Sequence, residues 1–289
     1  MIPGEFEYHA PGTIDEALRL LGEYGDEAKV LAGGHSLLPM MKLRFAEPEH
    51  LVDLNGIGEL RGIREEGGHI YIGAMTTENQ LIDSDLLWGK CPLVPEVAGW
   101  TSDPQVRNRG TIGGDIVHGD PGNDHPAAML ALQAHLLLVG PDGEREVPAD
   151  DFFIGTYMTA MEEGEILREI RIPAMEAGGG QAYAKLKRKT GDYATAAAAV
   201  NLRMDGDTVQ WVHIGLTNVG PTPLKAADAE AELTGQAWDE ARIKKAAEAA
   251  MAITTPVADL RGDEEYKTHM AGEMTKRALR LARDRAKGS

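Results

Sequence analysis

The sequence predicts an α+β protein of two domains, and three observations predict it. Upstream of residue 177, segments with helical periodicity alternate with short strand-like runs. A small, uncharged stretch, Ala177-Gly178-Gly179-Gly180, sits where that pattern changes. Beyond it, three strand-like runs form an antiparallel meander that two helices close. With 289 residues, 43% of them apolar, the chain can bury two ordinary cores.

The elements follow in order. Thr13-Ile14-Asp15-Glu16 reads as a capping box leading into Ala17, Leu18, Leu20 and Leu21, and Gly25 stops the helix. A short strand from Lys29 to Leu31 comes next, then Leu51-Val52-Asp53-Leu54. Leu60 to Arg64 and His69 to Ile72 flank Glu66-Gly67-Gly68 as a hairpin, and Thr77-Glu78-Asn79-Gln80 caps another helix. Pro126 to Leu132 reads as a buried helix with proline in its first turn. Leu136 to Val139 and Arg145 to Val147 flank Pro141-Asp142-Gly143, and Ile166 to Ile172 is a strand ended by Pro173. The meander comprises Tyr183 to Lys189, Thr195 to Met204 and Val209 to Leu216. The closing helices run from Trp238 to Ile253 and from Asp263 to about Arg285, the second with Tyr266, Met270, Met274, Ala278 and Leu281 on one face.

Two glycine-rich segments about eighty residues apart carry the functional signal: Ala32-Gly33-Gly34-His35-Ser36 and Thr111-Ile112-Gly113-Gly114-Asp115. A glycine pair permits positive φ and close backbone approach, so consecutive N–H groups can line one concavity and favour an anion. Ser36 and Thr111 add hydroxyl donors. Two such turns suit a diphosphate and suggest a bound dinucleotide. Neither is the G-x-G-x-x-G fingerprint or the G-x-x-x-x-G-K-[ST] loop, so the site is of another type.

Composition narrows the alternatives. A formal charge of −17, from 46 acidic and 29 basic residues, repels nucleic acid and anionic lipid. No run of about 18 apolar residues occurs, and Met1-Ile2-Pro3-Gly4-Glu5 lacks the order of a signal peptide, so the expectation is a cytoplasmic protein without an integral membrane segment. A single cysteine, Cys91, excludes an intrachain disulfide and an iron–sulfur cluster held by this chain alone. A redox role would need an organic carrier. His118, Asp120, Asp124 and His125 match no standard zinc spacing, and no metal is expected there.

The stretch Ala32-Gly33-Gly34-His35-Ser36-Leu37-Leu38-Pro39-Met40-Met41-Lys42-Leu43-Arg44, the stretch Arg107-Asn108-Arg109-Gly110-Thr111-Ile112-Gly113-Gly114-Asp115, and Asp259-Leu260-Arg261-Gly262 with Tyr266 resemble the FAD-binding medium subunit of the molybdenum hydroxylases over the whole chain. Within that family, His118 to Pro126 and Lys187 to Thr195 most resemble the carbon monoxide dehydrogenase branch. The resemblance implies an FAD-binding domain of the PCMH or vanillyl-alcohol-oxidase type over residues 1–177. That domain would hold FAD between two α/β subdomains, about 1–58 and 59–177. A C-terminal flavoprotein domain, 178–289, of a three-stranded sheet and helices would follow. It further implies that both glycine segments hold the FAD pyrophosphate, that Asp124, Leu167 and Lys187 stand at FAD-contact positions, and that Tyr193 lies near the isoalloxazine. The implied partners are a large molybdenum-cofactor subunit and a small [2Fe-2S] subunit, assembled as a dimer of heterotrimers that passes electrons to an external acceptor.

On the residues alone, several of these roles have alternatives. Asp124, one residue before His125-Pro126, reads equally as a helix cap. Lys187 stands among Lys185, Arg188 and Lys189, where alternation puts Lys185, Lys187 and Lys189 on one strand face. Tyr193 is a core aromatic or a ring that shields the flavin. The chain carries no nucleophile elbow or cluster-binding segment, which places substrate oxidation in a partner. Substrates other than carbon monoxide (an aldehyde, an aromatic or an N-heterocycle) and a self-contained FAD oxidase are the competing readings.

Overall fold

The computed structural model describes residues 2–288, so Met1 and Ser289 lie outside the described residues. Its first unit is a parallel sheet of β1 (Glu7–His9), β2 (Ala28–Leu31) and β3 (His50–Asp53), in the order β1-β3-β2. Parallel neighbours need a long crossover. The segment with the helix Leu37–Lys42 supplies it between β2 and β3, while the helix Ile14–Tyr24 carries the chain from β1 across β3 to β2, burying Ile14, Ala17, Leu20 and Leu21. Thr13 caps it by accepting the Glu16 N–H, and Gly25 ends it at φ +48°. The expected capping box is altered: the Glu16 carboxylate accepts the Gly12 N–H, not that of Thr13.

The second unit contains β4 (Ile63–Glu66), β5 (His69–Gly73), β6 (His135–Gly140) and β7 (Gly143–Pro148). A short hairpin, β8 (Phe153–Gly155) with β9 (Met158–Thr159), then leads to β10 (Ile166–Pro173). The order is β4-β5-β10-β6-β7, antiparallel throughout. Strand β4 begins at Ile63 rather than at the expected Leu60, because the 3-10 turn Gly58–Leu60 turns Leu60 into the core. The helices Leu93–Trp100 and His125–Ala131 cover this sheet around Ile70, Leu136, Ile170 and Phe152. Cys91 is buried in the same core, which pushes its thiol up to about 12.

The third unit is the expected meander, β11 (Gly179–Leu186), β12 (Ala196–Asp205) and β13 (Thr208–Thr217), with two-residue strands β14 (Leu224–Lys225) and β15 (Gln236–Ala237) added on β13. Helices Ala227–Leu233 and Glu264–Gly288 pack on it, and the helix Glu240–Ala252 packs against both of them. The buried seam of the last helix departs from expectation: Tyr266 and Leu281 are exposed, and Ala271, Met274, Ala278, Leu279 and Ala282 face the sheet. Close backbone approach selects that seam, since a Cβ on Gly180 would lie 2.0 Å from the Ala282 carbonyl oxygen. Gly215 is pressed in the same way on Ala127 of the second unit, where a Cβ would lie 2.0 Å from the carbonyl oxygen. No helix among the described residues is long and apolar enough to cross a membrane.

Candidate functional site

Strand β2 ends at Leu31, and the chain turns through Ala32-Gly33-Gly34-His35-Ser36 into the helix Leu37–Lys42. Gly34 takes φ +79°, a conformation that favours glycine. Gly33 is needed for space: a Cβ there would lie 2.5 Å from the Arg109 carbonyl oxygen. The first segment is thereby pressed against the residues that precede the second. None of the N–H groups of Gly33, Gly34, His35 and Ser36 meets a protein acceptor among the described residues. All four residues line one cavity of about 620 Å³ between the first and second units.

The second segment is built differently. Thr111 is the N-cap of the helix Ile112–Val117 and accepts the Gly114 N–H at 3.1 Å. The Ile112 N–H donates to the Thr76 carbonyl, Gly113 to Ala74 and Asp115 to Thr111. The loop 74–76 and the helix cap thus take the N–H groups of Ile112, Gly113, Gly114 and Asp115. The glycines serve packing: a Cβ on Gly113 would lie 2.6 Å from the Ala74 Cβ, and one on Gly114 2.9 Å from Thr111 Oγ1. This segment forms a tight wall of the cavity.

The structure brings Ala32, Gly33, Gly34, His35, Ser36, Thr111, Gly113, Gly114, Asp115 and Leu167 to that one cavity. Ile112, Asp124, Lys187 and Tyr193 lie outside its lining. The Ile112 side chain is buried in the core of the second unit. Asp124 is the residue before the helix His125–Ala131, but its carboxylate makes no cap. It instead accepts from the Tyr183 hydroxyl and from Lys185 Nζ, each at 2.6 Å. The expected lysine face continues past the end of β11 at Leu186, and Lys185 Nζ and Lys187 Nζ both reach the Trp100 carbonyl, Lys185 at 3.3 Å. Lys185 is buried on Asp124, whereas half-buried Lys187 donates to the Trp100 carbonyl at 3.2 Å and lies 5.0 Å from the Trp100 ring centroid. Tyr193 is 42% exposed, with the Arg261 guanidinium 5.6 Å from its ring centroid.

Sequence reasoning missed the polar floor of the cavity. Glu78, in the first turn of the helix capped by Thr77, is 1% exposed and lies 2.8 Å from His125 Nε2. Burial alone would lower the His125 basicity, but the Glu78 carboxylate, helped by Asp115 and Asp124, outweighs it and lifts the imidazole to about 9. Asp115 accepts the His125 N–H at 3.2 Å. Burial pushes its carboxyl well above the usual range, with Glu78 and Asp124 adding to the rise and His125 opposing it. An acidic residue in a helical first turn is ordinary, so no local signal distinguished Glu78.

Residues 4–175 match the family described as the FAD binding domain in molybdopterin dehydrogenase, and residues 181–282 match the CO dehydrogenase flavoprotein C-terminal domain. The carbon monoxide dehydrogenase medium chain of Hydrogenophaga pseudoflava is 60% identical over 98% of both chains. That of Afipia carboxidovorans is 54% identical over 99% of this chain and all of the relative. A solved structure of the Hydrogenophaga pseudoflava enzyme, lacking the Mo-pyranopterin moiety, superposes with a TM-score of 0.97 at 62% identity, covering 99% of both chains.

Proposed function

The chain belongs to the FAD-binding medium subunits of the molybdopterin dehydrogenases, and from that premise we propose that it is the electron exit of a carbon-monoxide-oxidising complex. It is an FAD-binding oxidoreductase subunit. The observation that carries the reading is the run of four N–H groups, Gly33 to Ser36, free of protein acceptors and turned to a cavity in a chain similar throughout to carbon monoxide dehydrogenase medium chains.

These residues fit the cofactor. Consecutive unsatisfied N–H groups and the Ser36 hydroxyl suit the diphosphate of FAD. Ala32, Thr111, Gly113, Gly114, Asp115 and Leu167 would enclose the rest. FAD supplies a carrier that takes up and releases electrons singly or in pairs. The chain binds it, orients it and excludes water from it. Burial raises the Asp115 carboxyl to about 7, so it faces the phosphates with less than a full negative charge near neutral pH. Asp124 with Lys185 and Tyr183 acts from behind the cavity as a fixed brace, and Lys187 and Tyr193 would reach the flavin only at its exposed rim. Residues 1–177 form the FAD-binding domain in two parts, about 1–58 and 59–177, and 178–289 the C-terminal domain.

Oxidation of carbon monoxide belongs to a large molybdenum-cofactor subunit, and a small [2Fe-2S] subunit hands the electrons on, in a cytoplasmic dimer of heterotrimers. Exposed Tyr157, which lines the cavity, and its exposed neighbour Met158 offer that small subunit an apolar contact. In the assembled complex under anaerobic conditions, carbon monoxide is expected to bleach the flavin absorbance. A complex oxidising carbon monoxide with its flavin left oxidised would sink the proposal.

A further inference from the structure

At the far edge of the first sheet, the parallel register of β1 and β3 sets Glu7 opposite His50, with His9 two residues along the same face. His9 Nε2 and His50 Nδ1 lie 3.1 Å apart, and His50 Nδ1 is 3.8 Å from a Glu7 carboxylate oxygen. One ligand atom from each of the three residues fits within 4.8 Å. Tyr24 stacks on His50 with centroids 3.7 Å apart and planes 9° from parallel, and it flanks His9 at 5.1 Å. None of Glu7, His9 and His50 lines the flavin cavity.

We propose that Glu7, His9 and His50 form a second site, for a divalent ion of the zinc class. An ion about 2.0–2.1 Å from both nitrogens would subtend an angle of about 95–102° at their 3.1 Å separation, between octahedral and tetrahedral values. Two imidazoles and one carboxylate select zinc, nickel or copper over calcium and magnesium, which prefer oxygen-rich shells. The Tyr24 stack holds the His50 ring and limits what ordering it costs. Glu7 has a side chain 74% exposed and can swing the remaining distance inward. The fourth position faces solvent and takes water.

The test is a calorimetric titration of zinc chloride into the chelator-stripped, full-length, FAD-loaded chain, with His9→Gln and Glu7→Gln alongside. Wild type is expected to take up one ion per chain. His9→Gln should weaken that uptake at least about tenfold while keeping its flavin. Glu7→Gln alters an exposed side chain, so it keeps the test valid if His9→Gln fails to fold, and it too should bind more weakly. Absence of one-to-one uptake by wild type, or uptake by the folded variants equal to wild type, would overturn the site.

Discussion

Lys185 and Asp124 are adjacent in space and both buried, with side-chain exposures of 1% and 6%. Removing the cation strands a carboxylate in the interior, so Lys185→Met is expected to cost about 3–5 kcal/mol in urea unfolding. The neighbouring Lys187→Met removes a half-buried partner of the Trp100 carbonyl, which keeps Lys185 as a donor, and should cost under about 1 kcal/mol. Equal costs would contradict the difference in burial and charge pairing between the two lysines. The buried imidazole makes a second residue-scale prediction. His125 is raised from 6.5 to about 9, so the stability it contributes is complete below about pH 6.5 and is lost as pH rises through about 9. Urea midpoints measured across that window should fall, and Glu78→Gln should flatten the fall; an unchanged slope in the variant would remove Glu78 as its cause.

Elements meet through glycine where backbones touch. Gly215 of β13 faces the Ala127 carbonyl at a distance no side chain survives, so Gly215→Ala should destabilise by about 3 kcal/mol or more. Gly89 lies in the helix Asp85–Lys90 with open space beyond its Cα, and Gly89→Ala should be neutral or stabilise by up to about 1 kcal/mol. Thermal unfolding that ranks the two variants the other way would refute this packing account. The same contrast explains what was legible in the sequence. The Thr77 cap with Gln80 and the Pro141-Asp142-Gly143 hairpin obey local rules, and both form as expected. The first glycine turn was legible as a turn because positive φ at Gly34 is a local demand. The backbone partners of the second were not legible, because Ala74 and Thr76 lie more than thirty residues upstream. The seam of the last helix was misjudged for a similar reason, since periodicity ranks large side chains while close backbone approach selected alanine.

For the whole molecule, a charge of −17 disfavours nucleic acid and anionic membranes as partners. The flavin cavity depends on contact between two chain segments far apart in sequence, so it forms only when the first and second units dock. The most direct test of this account is the FAD content of the assembled complex carrying Gly33→Ala, read by flavin absorbance against a fold check by circular dichroism. An added Cβ 2.5 Å from the Arg109 carbonyl oxygen must part the two segments, and the account predicts a folded subunit that has lost its flavin. A folded variant with its full complement of FAD would contradict it.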